Sequence, residues 1–276
     1  MKKVVAIEDI AQVKGSLDPA VLDYIRDGQI ETFESFANFD VAAFDWYDIW
    51  GPEAEEPAQI LVYIDHEDVF FLCENERAMQ KAQALFKESE SNERTLYEFF
   101  LGLIKSDQKH VEQMEERIAQ IEERILKGVS DEGTEQILDF RSEVLRLKKY
   151  YEQLDGIFDG MCDNDNGLLS PACLRWFANL THRVERLLSG VINLRDYATQ
   201  VREAYQAQID IQQNSLMKIF TVITSVFLPL TLIVGWYGMN FDMPELRWKY
   251  GYLMVIVASV FVCVACFMIF KKKKWF

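Results

Sequence analysis

The sequence predicts an α/β N-terminal cytoplasmic domain followed by a long stalk helix and two transmembrane α-helices. Three observations predict it. Strand-like runs of β-branched and aromatic residues are confined to about the first 75 positions, helical periodicity takes over from residue 76, and two runs near the C-terminus carry no formal charge. Those runs are residues 219–241 and 250–270, 23 and 21 residues long. About 20 apolar residues at ~1.5 Å rise cross the hydrocarbon core of a bilayer, so each run is long enough to span it.

Taken in order, residues 4–7, the aromatic stretch 32–46, and residues 60–64 and 69–73 read as strands. The last two, joined by Asp65-His66-Glu67-Asp68, read as a β-hairpin. Residues 51–57 form an acidic loop. A short helix is predicted over 76–88. A long one then runs from a cap at Asn92-Glu93 to about Lys127, with Leu96, Phe99, Leu103, Val111, Met114, Ile118, Ile121 and Ile125 at three- and four-residue spacings. Gly128, Ser130 and Gly133 break it, and residues 134–158 supply an antiparallel partner. Residues 159–167 are rich in Asp, Asn and Gly. They do not form a calcium loop, because aligning Gly167 with the obligatory EF-hand glycine puts Cys162 at the first ligand position. They read as a linker and helix stop.

Ser170-Pro171 provides an N-cap and a first-turn proline, and no helix breaker follows until Pro229. Leu180, Leu187, Leu194 and Val201 recur every seven residues, interleaved with Val184, Val191, Ala198 and Tyr205, as an a/d seam. A continuous helix over 171–236 would be ~100 Å long. Continuing the seam gives Asn214, Met217, Thr221, Thr224, Leu228 and Thr231, a stripe of three hydroxyls and an amide among Ile, Phe, Val and Leu. Polar groups at membrane depth must find partners or line water, so this stripe is the predicted pore lining. The competing reading is that each threonine bonds its own helix carbonyl four residues back. Pro229 removes one amide donor mid-span and frees the carbonyl of Ser225.

The domain organisation follows: residues 1–165, a cytoplasmic α/β domain with a helical hairpin; 166–217, the cytoplasmic stalk; 218–237, a pore-lining membrane helix; 238–249, an outside loop; 250–270, a second membrane helix; and 271–276, a basic cytoplasmic tail. Lys271 to Lys274 orient both termini to the cytoplasm by the positive-inside rule, and Trp236, Tyr237, Trp248, Tyr250 and Tyr252 suit the outer headgroup layer. The start, Met1-Lys2-Lys3 and four apolar residues before Glu8, is too short for a signal-peptide core. The plasma membrane is the expected location.

Of the formal charge of −15, residues up to Met217 carry −20, from 42 acidic and 22 basic side chains. Such a field repels nucleic acid and concentrates cations. Five cysteines, an odd number, argue against a disulfide framework; Cys263 and Cys266 lie mid-membrane without a completing ligand and read as small packing residues. The three histidines are scattered. No nucleophile and base pair is visible and no glycine loop followed by Lys-Ser/Thr, so neither an enzyme nor ATP coupling is expected. No organic cofactor is implied.

At the end of the first apolar run stand Tyr237, Gly238, Met239 and Asn240. An asparagine amide and backbone carbonyls are neutral oxygen donors that hydrogen-bond the waters of a hydrated cation without holding it. Mg²⁺ sheds its waters reluctantly, so a ring of neutral Asn suits it. Gly238 allows a close backbone turn.

Tyr237-Gly238-Met239-Asn240 followed by Met243-Pro244-Glu245-Leu246, between two C-terminal apolar runs ending in lysines, resembles the CorA family of magnesium channels, whose signature tripeptide matches Gly238, Met239 and Asn240. The close resemblance covers about residues 215–276. It implies a funnel-shaped homopentamer that passes Mg²⁺ and is regulated by cytoplasmic Mg²⁺ bound between subunits. It also implies that Asn240 forms the outer ion ring, that Thr231 and Asn214 line the conduit, and that Met217 belongs to the inner gate. Leu228 stands where some relatives carry Met. Glu203 is placed as an acidic ring at the cytoplasmic end of the pore. The regulatory residues are not assigned, and Asn179 stands near where a sensing acid is expected. The partners implied are further copies of the chain, membrane lipid and divalent cations. A transporter of Zn²⁺, Co²⁺ or Ni²⁺ is the alternative within the class, and a two-pass membrane sensor or scaffold is the alternative outside it.

Overall fold

The computed structural model describes residues 1–13, 15, 17–19, 21–22, 32–51, 56–127, 133–239, 243 and 248–272. The chain divides into two compact units, Met1–Arg202 and Glu203–Phe276.

The N-terminal unit is built on five strands: β1 (Lys2–Ala6), β2 (Phe33–Ser35), β3 (Phe39–Trp46), β4 (Ala58–Asp65) and β5 (Val69–Cys73), in the order β1-β5-β4-β3-β2. β1 lies parallel to β5 and every other pair is antiparallel. The expected β4–β5 hairpin is present, its turn held by Asp65, whose Oδ1 accepts from the backbone N–H groups of Glu67 and Asp68. Alternation along the strands sends Val41, Leu61, Tyr63, Phe70 and Leu72 to one face, where they pack with Val5, Val13, Leu17 and Val21. Phe44 and Phe71 point to the other face, against Phe100 and Phe99. Because both faces are covered, the central strands read as near-continuous apolar runs.

Five helices follow: α1 (Glu76–Leu85), α2 (Asn92–Leu103), α3 (Asp107–Leu126), α4 (Gly133–Asp163) and α5 (Pro171–Tyr237). Asn75 caps α1, accepting from the N–H of Ala78, and Ser91, one residue ahead of the expected cap, caps α2 by accepting from Arg94. The single helix expected from residue 92 to 127 is two, broken at residues 104–106. Ile104 and Asp107 are both buried at the break, and the polar Lys105-Ser106-Asp107 interrupts the apolar period there. The change of direction lets α2 lie under the sheet while α3 pairs with α4. Contacts Asp107–Tyr151 and Arg117–Glu143 run in opposite senses along α3 and α4, so the predicted antiparallel hairpin stands. Gly128 and Ser130 lie outside the described residues.

α4 continues to Asp163, so the predicted stop over 159–167 is helix for its first half. The turn proper centres on Asn164, at φ 48°, and Gly167, at φ 69°, in the left-handed region that Asn and Gly tolerate. Ser170 then caps α5 as expected, its Oγ accepting from Cys173, while its own N–H and O–H donate to Glu93 of α2.

The heptad seam has a local explanation. Leu180, Val184, Leu187, Val191, Leu194, Ala198 and Val201 are all buried inside the chain's own N-terminal unit. Phe177 packs on Phe100 and Phe158, and Tyr197 donates to Glu122 of α3 across 2.6 Å. An a/d pattern specifies an apolar stripe but not whether a copy or a neighbouring helix covers it.

In the C-terminal unit, α5 ends at Tyr237 and α6 (Gly251–Lys272) follows. These are the two helices, among the described residues, long and apolar enough to cross a membrane.

Candidate functional site

Along the C-terminal part of α5 the half-buried positions from residue 222 on are Val222, Ser225, Val226, Pro229, Leu230, Ile233 and Tyr237. Their three- and four-residue spacing defines the face turned to α6, whose matching positions are Val255, Ser259, Val262, Cys263 and Cys266. Ser259, Cys263 and Cys266 give this face small side chains, of the kind found where apolar helices meet in membranes. Asn214, Met217, Thr221, Thr224, Leu228 and Thr231 are all exposed, so the predicted stripe lies within the surface that the chain's own second helix leaves uncovered, alongside the apolar Ile219, Phe220, Ile223, Phe227 and Leu232. Glu203 is exposed as well.

The threonine hydroxyls do what the competing reading expects. Thr221, Thr224 and Thr231 donate to the carbonyls of Met217, Phe220 and Phe227 at 2.7, 2.8 and 2.8 Å. A hydroxyl that has spent its proton on the helix still has a lone pair to offer outward. The stripe is thus a row of oxygen acceptors, suited to water molecules around a cation.

Pro229 interrupts the amide ladder as predicted, and the Ser225 carbonyl finds a donor that sequence reasoning missed: the Cys266 thiol, 3.7 Å away on α6. The signal was present, because a thiol at mid-membrane depth faces a carbonyl that proline leaves without an amide.

At its end α5 is closed by backbone bonds from Gly238 N–H to Val234 O at 2.8 Å and from Met239 N–H to Trp236 O at 3.4 Å. A Cβ on Gly238 would stand 2.9 Å from the Val234 carbonyl oxygen, which gives the expected close turn a geometric cause. Asn240, Phe241, Asp242 and residues 244–247 lie outside the described residues, as do Lys273 to Phe276.

The N-terminal unit holds a buried polar cluster that the sequence reading did not assemble. Asp107, at the N-terminus of α3, accepts from Tyr151; burial pushes its carboxyl up to about 6 against the lowering effect of that bond and of His110. Glu143 of α4 accepts from Arg117 at 2.7 Å and faces His110 Nε2 at 3.6 Å; burial raises it, but His110 and Arg117 outweigh this and leave it below the usual range. Trp50 sits edge-on to the His110 ring. His110 is thus a buried residue of the fold, facing Glu143 and Trp50, and His182 pairs with Glu185 at 3.1 Å on the surface. Among the described residues no group of three or more His, Cys, Asp or Glu side chains is placed to hold a metal ion. Asn179 turns its amide back to the Arg175 carbonyl at 2.9 Å.

The cobalt/magnesium transport protein CorA of Thermotoga maritima is 29% identical over 166 residues, 60% of this chain and 47% of that protein. The magnesium transport protein CorA of Wolinella succinogenes is 47% identical over 76 residues, 27% of this chain and 24% of that one. The alignment with the Thermotoga protein thus spans about half the length of that relative. The solved structure of the complete CorA magnesium transporter from Methanocaldococcus jannaschii superposes with a TM-score of 0.78 at 17% identity, covering 98% of this chain and 88% of that one, a likeness of fold. The family model described as CorA-like Mg²⁺ transporter protein matches residues 17–272, nearly the whole chain, and the chain therefore belongs to that family.

Proposed function

We propose that this chain is one subunit of a plasma-membrane channel for hydrated divalent cations, Mg²⁺ first, formed by five copies around a shared axis. The observation that carries the reading is the uncovered acceptor face of α5, running through Thr221, Thr224, Leu228 and Thr231 and ending at Gly238-Met239 beside Asn240. Copies of the chain would bring these faces together, with Asn240 as the outer ring, Thr231 and Asn214 along the conduit, Met217 at the inner gate and Glu203 at the cytoplasmic mouth. With both termini in the cytoplasm, a membrane potential of 100 mV favours inward movement of a divalent ion by ~4.6 kcal/mol, so no other energy source is required. Mg²⁺ is cargo, and cytoplasmic Mg²⁺ also regulates the channel. Membrane lipid surrounds the apolar faces.

Transport of Co²⁺ is the second reading, favoured by the name of the Thermotoga relative; Zn²⁺ and Ni²⁺ belong to the same comparison. Purified protein in liposomes is loaded with a fluorescent divalent-ion reporter and challenged with each metal under an imposed potential. Mg²⁺ uptake that is lost in Asn240→Ala, with assembly unchanged, supports the proposal. Uptake of Co²⁺ or Zn²⁺ without Mg²⁺ reverses the order of cargo, uptake unchanged by Asn240→Ala removes Asn240 from the ion path, and no uptake of any divalent ion favours a scaffold.

A further inference from the structure

The geometry points to Cys266 as a positioning residue for the conducting helix. Pro229 has no N–H, so the Ser225 carbonyl, which an amide at that position would serve, has lost its partner within α5. An unpaired carbonyl at membrane depth costs several kcal/mol, and no water is at hand in hydrocarbon to relieve it. The Cys266 Sγ stands 3.7 Å from this oxygen, within reach of an S–H···O bond, and both residues lie on the seam between α5 and α6. Ser225 is one residue from Thr224 and three from Leu228, both on the outward face. The thiol thus ties the turn of α5 that Pro229 leaves without an amide bond to α6, at the level where the proposed conduit lining passes. Cys263, one turn earlier on the same seam, has the same size and makes no such bond among the contacts described, so packing alone does not distinguish the two.

This inference rests on the channel reading for its effect on flux, but the bond can be tested without it. Infrared difference spectra of wild type against Cys266→Ser isolate the S–H stretch of Cys266. The expected band is shifted to the lower frequency of a hydrogen-bonded thiol. In Pro229→Ala, where the restored amide takes over the carbonyl, the band returns to the free position. In the liposome assay Cys266→Val, which fills the space without a donor, should change Mg²⁺ flux by about two- to tenfold, as expected for one net hydrogen bond. Cys266→Ser, which keeps a donor, should stay within about twofold of wild type by the same arithmetic. Cys266→Val introduced into Pro229→Ala should add nothing further. A free-thiol band in the wild type overturns the assignment even if Pro229→Ala fails to assemble. Equal flux in Cys266→Val and wild type overturns the positioning role, whereas a hydrogen-bonded band in a protein that passes no ion under any condition sinks the channel reading and leaves the bond standing.

Discussion

The Tyr151 hydroxyl donates to the Asp107 carboxyl across 3.1 Å, and both residues are almost completely buried. The bond joins the first turn of α3 to the middle of α4, directly beneath the break that separates α2 from α3. Burial raises the Asp107 pKa from 3.8 to about 6, so the folded unit holds this proton more tightly than the unfolded chain does. Its contribution to stability is complete below pH ~4 and is lost as pH rises through about 6. Asp107→Asn, which keeps an oxygen for Tyr151 and removes the charge, should raise the unfolding midpoint at pH 7.5 by the equivalent of ~1–3 kcal/mol and flatten the loss between pH 4 and 6. Thermal unfolding of both proteins across that range measures it; parallel curves would refute the assignment.

Asn166 ties the turn after α4 to the sheet, donating at 2.7 Å to both the Phe36 carbonyl and Asp40 Oδ1. Burial raises the Asp40 carboxyl, against the lowering bonds from Ser35 and Asn166. Asn166→Ala should cost ~1–3 kcal/mol near neutral pH and progressively less as pH falls and the raised Asp40 carboxyl takes up a proton, which relieves the unpaired carboxylate. Denaturant titrations over a series of pH values decide it.

Gly160 of α4 lies over Phe33 of β2, and a Cβ there would sit 2.9 Å from the ring Cγ. Gly160→Ala should therefore destabilise the N-terminal unit by ~1–3 kcal/mol through overpacking, although alanine is the better helix former. The double variant Gly160→Ala with Phe33→Leu should recover part of the loss; additive losses would show that the two residues do not press on each other.

Gly238→Ala, pressed against the Val234 carbonyl, should displace the start of the loop that bears Asn240. The expected result in liposomes is a Mg²⁺ flux at least about tenfold lower, since small misplacements at a site are expensive, with an unchanged oligomer by size-exclusion chromatography. Undiminished flux would show that the loop does not depend on this turn.

Much of the architecture was legible in the sequence, and the failures have physical causes. The β4–β5 hairpin, the Ser170-Pro171 start of α5 and the two charge-free helices follow from periodicity, turn chemistry and the length needed to cross hydrocarbon, which are local properties. The break at residues 104–106 was marked only by the polar run 105–110, which a straight helix can carry on its solvent face, since Ile104 and Val111 keep a seven-residue spacing across it. Asp107 and His110 share α3, but Glu143 and Tyr151 come from α4, and no local rule brings the two pairs together. The two alternatives for the threonine stripe also coexist: each hydroxyl bonds its own helix while its residue faces outward.

By itself the chain's order of residues determined most of the strand and helix spans, the apolar stripe of α5 from Leu180 to Val201, and the acceptor row continuing to Thr231. Only tertiary structure decided that the first part of that stripe is covered by α3 and its neighbours within one chain, while the second part is left open. The same holds for the Ser225 carbonyl, whose missing amide is written in Pro229 but whose replacement donor, Cys266, lies 41 residues away. Periodicity states which face must be satisfied; what satisfies it is a matter of which distant groups the fold brings within a few ångströms.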